Sequence, residues 1–100
     1  MSDYYDRQGK PISLQTWAHL MEDREYCRVD ETLVDNTRVS TVWLGIDYSF
    51  GRGGAPIIFE TMVFGGPMDQ EPYRWSTEQE AVDGHRMAVD AVRLQPGRTS

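Results

Sequence analysis

Arg38-Val-Ser-Thr-Val-Trp-Leu-Gly-Ile46 and Pro56-Ile-Ile-Phe-Glu-Thr-Met-Val-Phe64 are two dense apolar stretches that decide the fold. The glycine-rich segment Asp47-Tyr-Ser-Phe-Gly-Arg-Gly-Gly-Ala55 joins them. Both are rich in β-branched and aromatic residues, which suit a pleated sheet. Each also carries polar residues inside its apolar run: Ser40 and Thr41 in the first, Glu60 and Thr61 in the second. The direction in which those groups point separates a site from a core.

Working outward, Tyr26 to Val34 reads as a preceding strand. Asp35-Asn36 supplies a hairpin turn, because both residue types tolerate positive φ. Upstream, Gly9 and Pro11 punctuate a short extended piece and a turn. Ser13 then caps a helix whose apolar positions, Leu14, Trp17, Ala18, Leu20 and Met21, recur at helical spacing and which ends near Asp23. Downstream, Gly65-Gly66-Pro67 stops the third strand, and Tyr73–Trp75 adds a short edge strand. Thr77-Glu-Gln-Glu80 is a capping box that opens a helix over 78–93. The order predicts an α+β domain: a three- to four-stranded antiparallel meander with helices on one face, in α-β-β-β-α order. Residues 1–95 form one domain, and 96–100 read as a loose tail.

Register follows from the turns. With Val34 opposite Thr37, Glu31 meets Ser40, Val29 meets Val42 and Cys27 meets Leu44. With Ile46 opposite Pro56, Val42 meets Glu60, Ser40 meets Met62 and Trp43 meets Phe59. Parity then sorts the side chains into two faces. One collects Cys27, Val29, Leu33, Val42, Leu44, Ile46, Ile58, Met62 and Phe64, together with Glu31, Ser40 and Glu60. The helices are expected to cover this aliphatic face. The other collects Tyr26, Arg28, Asp30, Thr32, Val39, Thr41, Trp43, Ile57, Phe59, Thr61 and Val63. It reads as an aromatic and polar face that either meets a partner or is folded over by the Tyr4-Tyr5 segment or the 47–55 loop.

The chain has 100 residues and a net charge of -6, with no Lys/Arg cluster to track a phosphate backbone; direct nucleic-acid binding is not expected. Cys27 is alone, so there is no internal disulfide framework, which fits a reducing cytosol. Its expected role is a small buried hydrophobe. No long apolar run or leader appears, so neither membrane spanning nor export is expected.

His85 shares a helical stripe with Ala81, Ala88 and Val92, which points it toward the aliphatic face. Glu60 and Glu31 lie there by parity, with Ser40 near. That set resembles the parts of a hydrolytic or nucleotide-handling site, with a tied-off core cluster as the alternative. No metal site is expected: there is no HxxxH or CxxC pair. No cofactor motif appears, and the Gly51–Gly54 loop lacks the Lys-Ser/Thr of a phosphate-binding loop. The binding candidates are Arg28, Trp43, Tyr48, Phe50, Arg52 and Phe59, since aromatic and Arg residues dominate contact hot spots.

The strings "YYDRxGxPISLxxW", "RVSTVWLGID", "FETMVFGG" and "STEQEAxxGHRMAV" resemble a group of small uncharacterised proteins encoded by bacteriophages, prophages and bacteria. The resemblance spans about residues 4–90. It implies an accessory protein of the host cytoplasm that acts by binding a host enzyme or a defence component. The aromatic and polar sheet face of so small a domain adds the expectation of a homodimer. A small-molecule ligand is the further option.

Overall fold

A computed structural model describes residues 3–50, 53–67, 69 and 72–94. The tail over 96–100 lies outside the described residues. The chain runs β1 (Tyr4–Tyr5), β2 (Pro11–Ile12), α1 (Leu14–Met21), α2 (Arg24–Cys27), β3 (Arg28–Val34), β4 (Thr37–Trp43), β5 (Phe59–Phe64), β6 (Pro72–Trp75) and α3 (Glu78–Arg93). β3 to β6 form a four-stranded antiparallel meander, and β1 pairs with β2 in a separate ribbon. The fold is α+β, with α3 packed on one face of the meander.

Local signals explain the elements. Ser13 caps α1 by accepting from Thr16 N at 3.1 Å. Thr77 and Glu80 close the capping box of α3: Glu80 N donates to Thr77 Oγ1 at 3.1 Å, and Thr77 N donates to Glu80 Oε1 at 3.1 Å. Asp35 takes φ 55° at the β3–β4 turn, as its residue type allows.

The β4–β5 register is the expected one, with Ser40 opposite Met62, Val42 opposite Glu60 and Trp43 opposite Phe59. The β3–β4 register departs at one point. Arg28 pairs with Val42 and Asp30 with Thr41, so Val29 is the extra residue of a bulge. Neither the Val29–Val42 nor the Cys27–Leu44 pair forms. Tyr26 and Cys27 belong to the short helix α2, which Asp23 caps through Glu25 N and Tyr26 N. β4 stops at Trp43 and β5 starts at Phe59. Ile46 pairs with Tyr4, not with Pro56.

Parity holds from Glu31 to Val34 and along β4 and β5, but the covered face is the opposite of the expected one. α3 packs on Val39, Thr41, Trp43, Phe59, Thr61 and Val63, all buried. Two clusters make this core. Val34, Val39 and Val63 meet Ala88, Val89 and Val92 of α3. Trp43, Ile58 and Phe59 meet Ala81, with Tyr5, Trp17, Leu20 and Tyr26 around them. The N-terminal segment closes this end: Trp43 Nε1 donates to Tyr5 O at 3.0 Å, and Trp17 Nε1 donates to Leu44 O at 3.0 Å. Arg7 ties the segment to both short helix and long. Its Nε donates to Glu78 Oε1 at 2.8 Å and its Nη1 to Tyr26 O at 3.0 Å.

The reason for the choice of face is physical. Burying Trp43 and Phe59 removes the largest apolar areas from water. Covering the other face would bury Glu31, Glu60, Arg38 and Arg74, and buried charge is far more costly than buried hydroxyls that find partners.

Gly84 of α3 lies directly against the Trp75 indole. A Cβ there would lie 2.2 Å from Trp75 Cζ2. Alanine favours a helix by about 1 kcal/mol over glycine, yet overpacking costs about 1–3 kcal/mol. Gly84→Ala is therefore expected to destabilise by roughly 1–2 kcal/mol in urea unfolding. The same change in a Trp75→Leu background is expected to be neutral or stabilising.

Candidate functional site

Three threonines and a histidine form a line through the core. His85 is 2% exposed. Its Nδ1 lies 2.7 Å from Thr41 Oγ1, which lies 2.6 Å from Thr61 Oγ1. Trp75 Nε1 donates to Thr61 Oγ1 at 3.0 Å. On the other side of the ring, Nε2 lies 2.8 Å from Thr32 Oγ1 and 3.6 Å from Asp30 Oδ2. A surface groove of about 210 Å³ opens here, with Asp30, Thr32, Arg86, Asp90 and Arg93 on its walls.

Thr32 beside a histidine nitrogen has the outline of a nucleophile and base. Donor polarity decides against it. The Trp75 indole can only donate, so Thr61 accepts from it and passes its own proton to Thr41. Thr41 then donates to His85 Nδ1, which places the ring proton on Nε2, facing Thr32 and Asp30. A ring protonated at Nε2 cannot take the Thr32 proton. Reversing the line would leave the Thr61 hydroxyl proton without an acceptor at a fully buried position. The line is thus a satisfied polar core, and no buried side-chain nitrogen or oxygen among the described residues lacks a partner.

The same polarity resists a second proton on His85. Burial lowers its pKa below the ordinary 6.5, and the Asp30 carboxylate only partly opposes this. The unfolded chain therefore binds the proton more readily than the fold. Stability is full above about pH 6.5 and falls as pH drops through the lower folded-state value. Urea midpoints are expected to decline from about pH 7.5 to about pH 5.5, with a shallower decline in His85→Gln. A flat profile in the native chain contradicts this. Asp47 titrates in a separate range: burial would raise its pKa, but Ile57 N and Ser49 N, donating to its carboxylate at 3.0 and 2.8 Å, lower it below 3.8.

The expected constellation of Glu60, His85, Ser40 and Glu31 is taken apart. Glu60, Ser40 and Glu31 lie on the face away from α3, and His85 lies beneath the other. Glu60 accepts from Arg74 Nε at 3.0 Å, and Glu31 pairs with Arg38 at 3.6 Å. Among the expected binding residues, Trp43 and Phe59 are 1% and 0% exposed and stand in the core. Arg28 pairs with Val42 and shares its face, while the Trp43 ring meets Tyr26 edge-on at 4.9 Å. Tyr48 and Phe50 pack edge to face at 5.8 Å on the β4–β5 loop, and Arg74 lies over the Tyr48 ring at 5.1 Å. Phe50 is 74% exposed. Arg52 lies outside the described residues. Cys27 is half-buried, and burial raises its pKa, with Asp23 adding and Arg7 opposing; it is held as an unreactive thiol.

The face away from α3 is the open one. Leu33, Val42, Met62 and Phe64 form its apolar strip, with Leu33 largely exposed and the others half-buried. Two ion pairs, Glu31–Arg38 and Glu60–Arg74, flank the strip. The Arg38 guanidinium lies 4.4 Å over the Phe64 ring. A cleft of about 370 Å³ opens where α1 and α2 meet this face. Among the described residues no group of three or more metal-ligating side chains converges, and no helix is long and apolar enough to cross a membrane.

Comparisons with protein-family models, with curated proteins and with solved structures give no match to this chain.

Proposed function

We propose that this chain is a small non-enzymatic binding protein that works through the open face of its sheet, and that its first occupant is a second copy of itself. The observation that carries the reading is the apolar strip of exposed Leu33 and half-buried Val42, Met62 and Phe64, which lies between ion pairs that are already closed within the chain. Charges neutralised at home cost less to desolvate than free ones, and apolar area between them rewards a protein surface. A domain of this size buries only about two-thirds of its unfolded surface, which favours a twofold dimer. The motif resemblance supports a phage-type accessory protein in the cytoplasm of a bacterial host, where the same face would engage a host or defence component.

Light scattering tests this. The native chain is expected to approach twice its monomer mass at high micromolar concentration. Leu33→Asp with Phe64→Asp is expected to return it to the monomer mass while it stays folded, with its unfolding free energy lowered by about 1–2 kcal/mol. A native chain that stays monomeric, or a dimer that both substitutions leave intact, overturns the assignment.

A further inference from the structure

We infer that the cleft at the α1–α2 end of the open face is a binding site for a small organic anion, a phosphate or carboxylate group carried on an apolar body. With 16 acidic residues against 10 Lys and Arg, carboxylates outnumber cations in this chain. Arg7, Arg38 and Arg74 each have a carboxylate partner. Arg24 and Arg28 have none among the described residues, and both stand on the wall of this one cleft. Arg28 is aimed there by the bulge at Val29, which pairs it with Val42 and so puts it on the open face. Without the bulge its parity would place it beneath α3.

The other walls fix the ligand's second half. Met21, Val42 and Leu44 supply an apolar floor, and the Ser40 hydroxyl stands beside them. Two guanidiniums over an apolar floor match an anionic head on an apolar body, since guanidinium forks bind phosphate and carboxylate in two-point fashion. A volume of about 370 Å³ falls within the usual range for small-molecule sites. Glu31 also stands on the cleft wall, but its carboxylate pairs with Arg38 at 3.6 Å, which leaves Arg24 and Arg28 as the uncompensated charges there. Size is restricted by charge as well: the net charge of -6 repels an extended polyanion more than it does one or two negative charges.

Phenyl phosphate is the probe. Titrated into the native chain and followed by NMR, it is expected to shift the Met21, Val42 and Leu44 methyls together and to saturate. Arg24→Ala with Arg28→Ala is expected to raise its Kd by about tenfold or more. Arg86→Ala, at an exposed arginine on α3 that also has no ion pair among the described residues, is expected to leave it unchanged. Inorganic phosphate and benzyl alcohol, each carrying half of the recognised chemistry, are expected to bind more weakly. The monomeric Leu33→Asp, Phe64→Asp variant is expected to bind normally, which shows that binding does not require the dimer, although Val42 borders both surfaces. Absence of saturation, an unchanged Kd in the double arginine variant, or shifts confined to the α3 groove overturns the assignment. So does inorganic phosphate binding as tightly as phenyl phosphate.

Discussion

Trp43→Ala is expected to cost about 3–5 kcal/mol, the range for deleting a large aromatic side chain from a packed core. The residue is 1% exposed, lies among Ile58, Phe59 and Ala81, and donates its indole proton to Tyr5 O. Its removal therefore opens a cavity between α3 and the sheet and releases the N-terminal segment in the same step. For a domain whose total stability is about 5–15 kcal/mol, that is a large fraction. Phe64→Ala, at a half-exposed position on the open face, is expected to cost about 1 kcal/mol. Equilibrium urea unfolding of the two variants measures the contrast. Near-equal costs would mean that the sheet has no single covered face.

The second large effect is expected from Thr41→Val, a change of shape so slight that packing alone predicts little. Thr41 stands between His85 Nδ1 at 2.7 Å and Thr61 Oγ1 at 2.6 Å, fully buried. A valine there leaves an imidazole nitrogen without a donor and the Thr61 hydroxyl without an acceptor. Each buried unpaired group costs about 1–3 kcal/mol, so roughly 3 kcal/mol is expected in total. His85→Leu in the Thr41→Val background is expected to recover part of the loss, because removing both partners costs less than removing one. A double-mutant cycle with no coupling would show that the two side chains do not depend on each other.

Much of this architecture is legible in the chain. Ser13, Asp35 and the Thr77–Glu80 box place the helix starts and the first hairpin turn, because capping and turn chemistry act locally. The β4–β5 register follows from alternation, and with it the opposition of Trp43 and Phe59. Other features are not legible there. The bulge at Val29 is set by how α2 leads into β3, and no residue type at that position signals it. The covered face does not follow from a count of aliphatic residues, because such a count leaves out the cost of burying charge. Glu31, Glu60, Arg38 and Arg74 on one face already argue that it stays wet. Thr32, Thr41 and Thr61 on the other look too polar for a core until His85 is given to them. The stripe that places His85 inward is readable; its partners become so only once the face is chosen. For the same reason the proposed binding surface is Leu33, Met62 and Phe64 instead of Trp43 and Phe59, and the proposed role of Arg28 rests on the cleft instead of on Trp43.

A dilution series followed through methyl NMR tests the assignment of the working face most directly. Concentration-dependent shifts are expected at Leu33, Val42 and Met62, with Val39, Val63 and Val89 unmoved. Shifts at Val39 and Val63, or a spectrum that does not change with concentration, would contradict it.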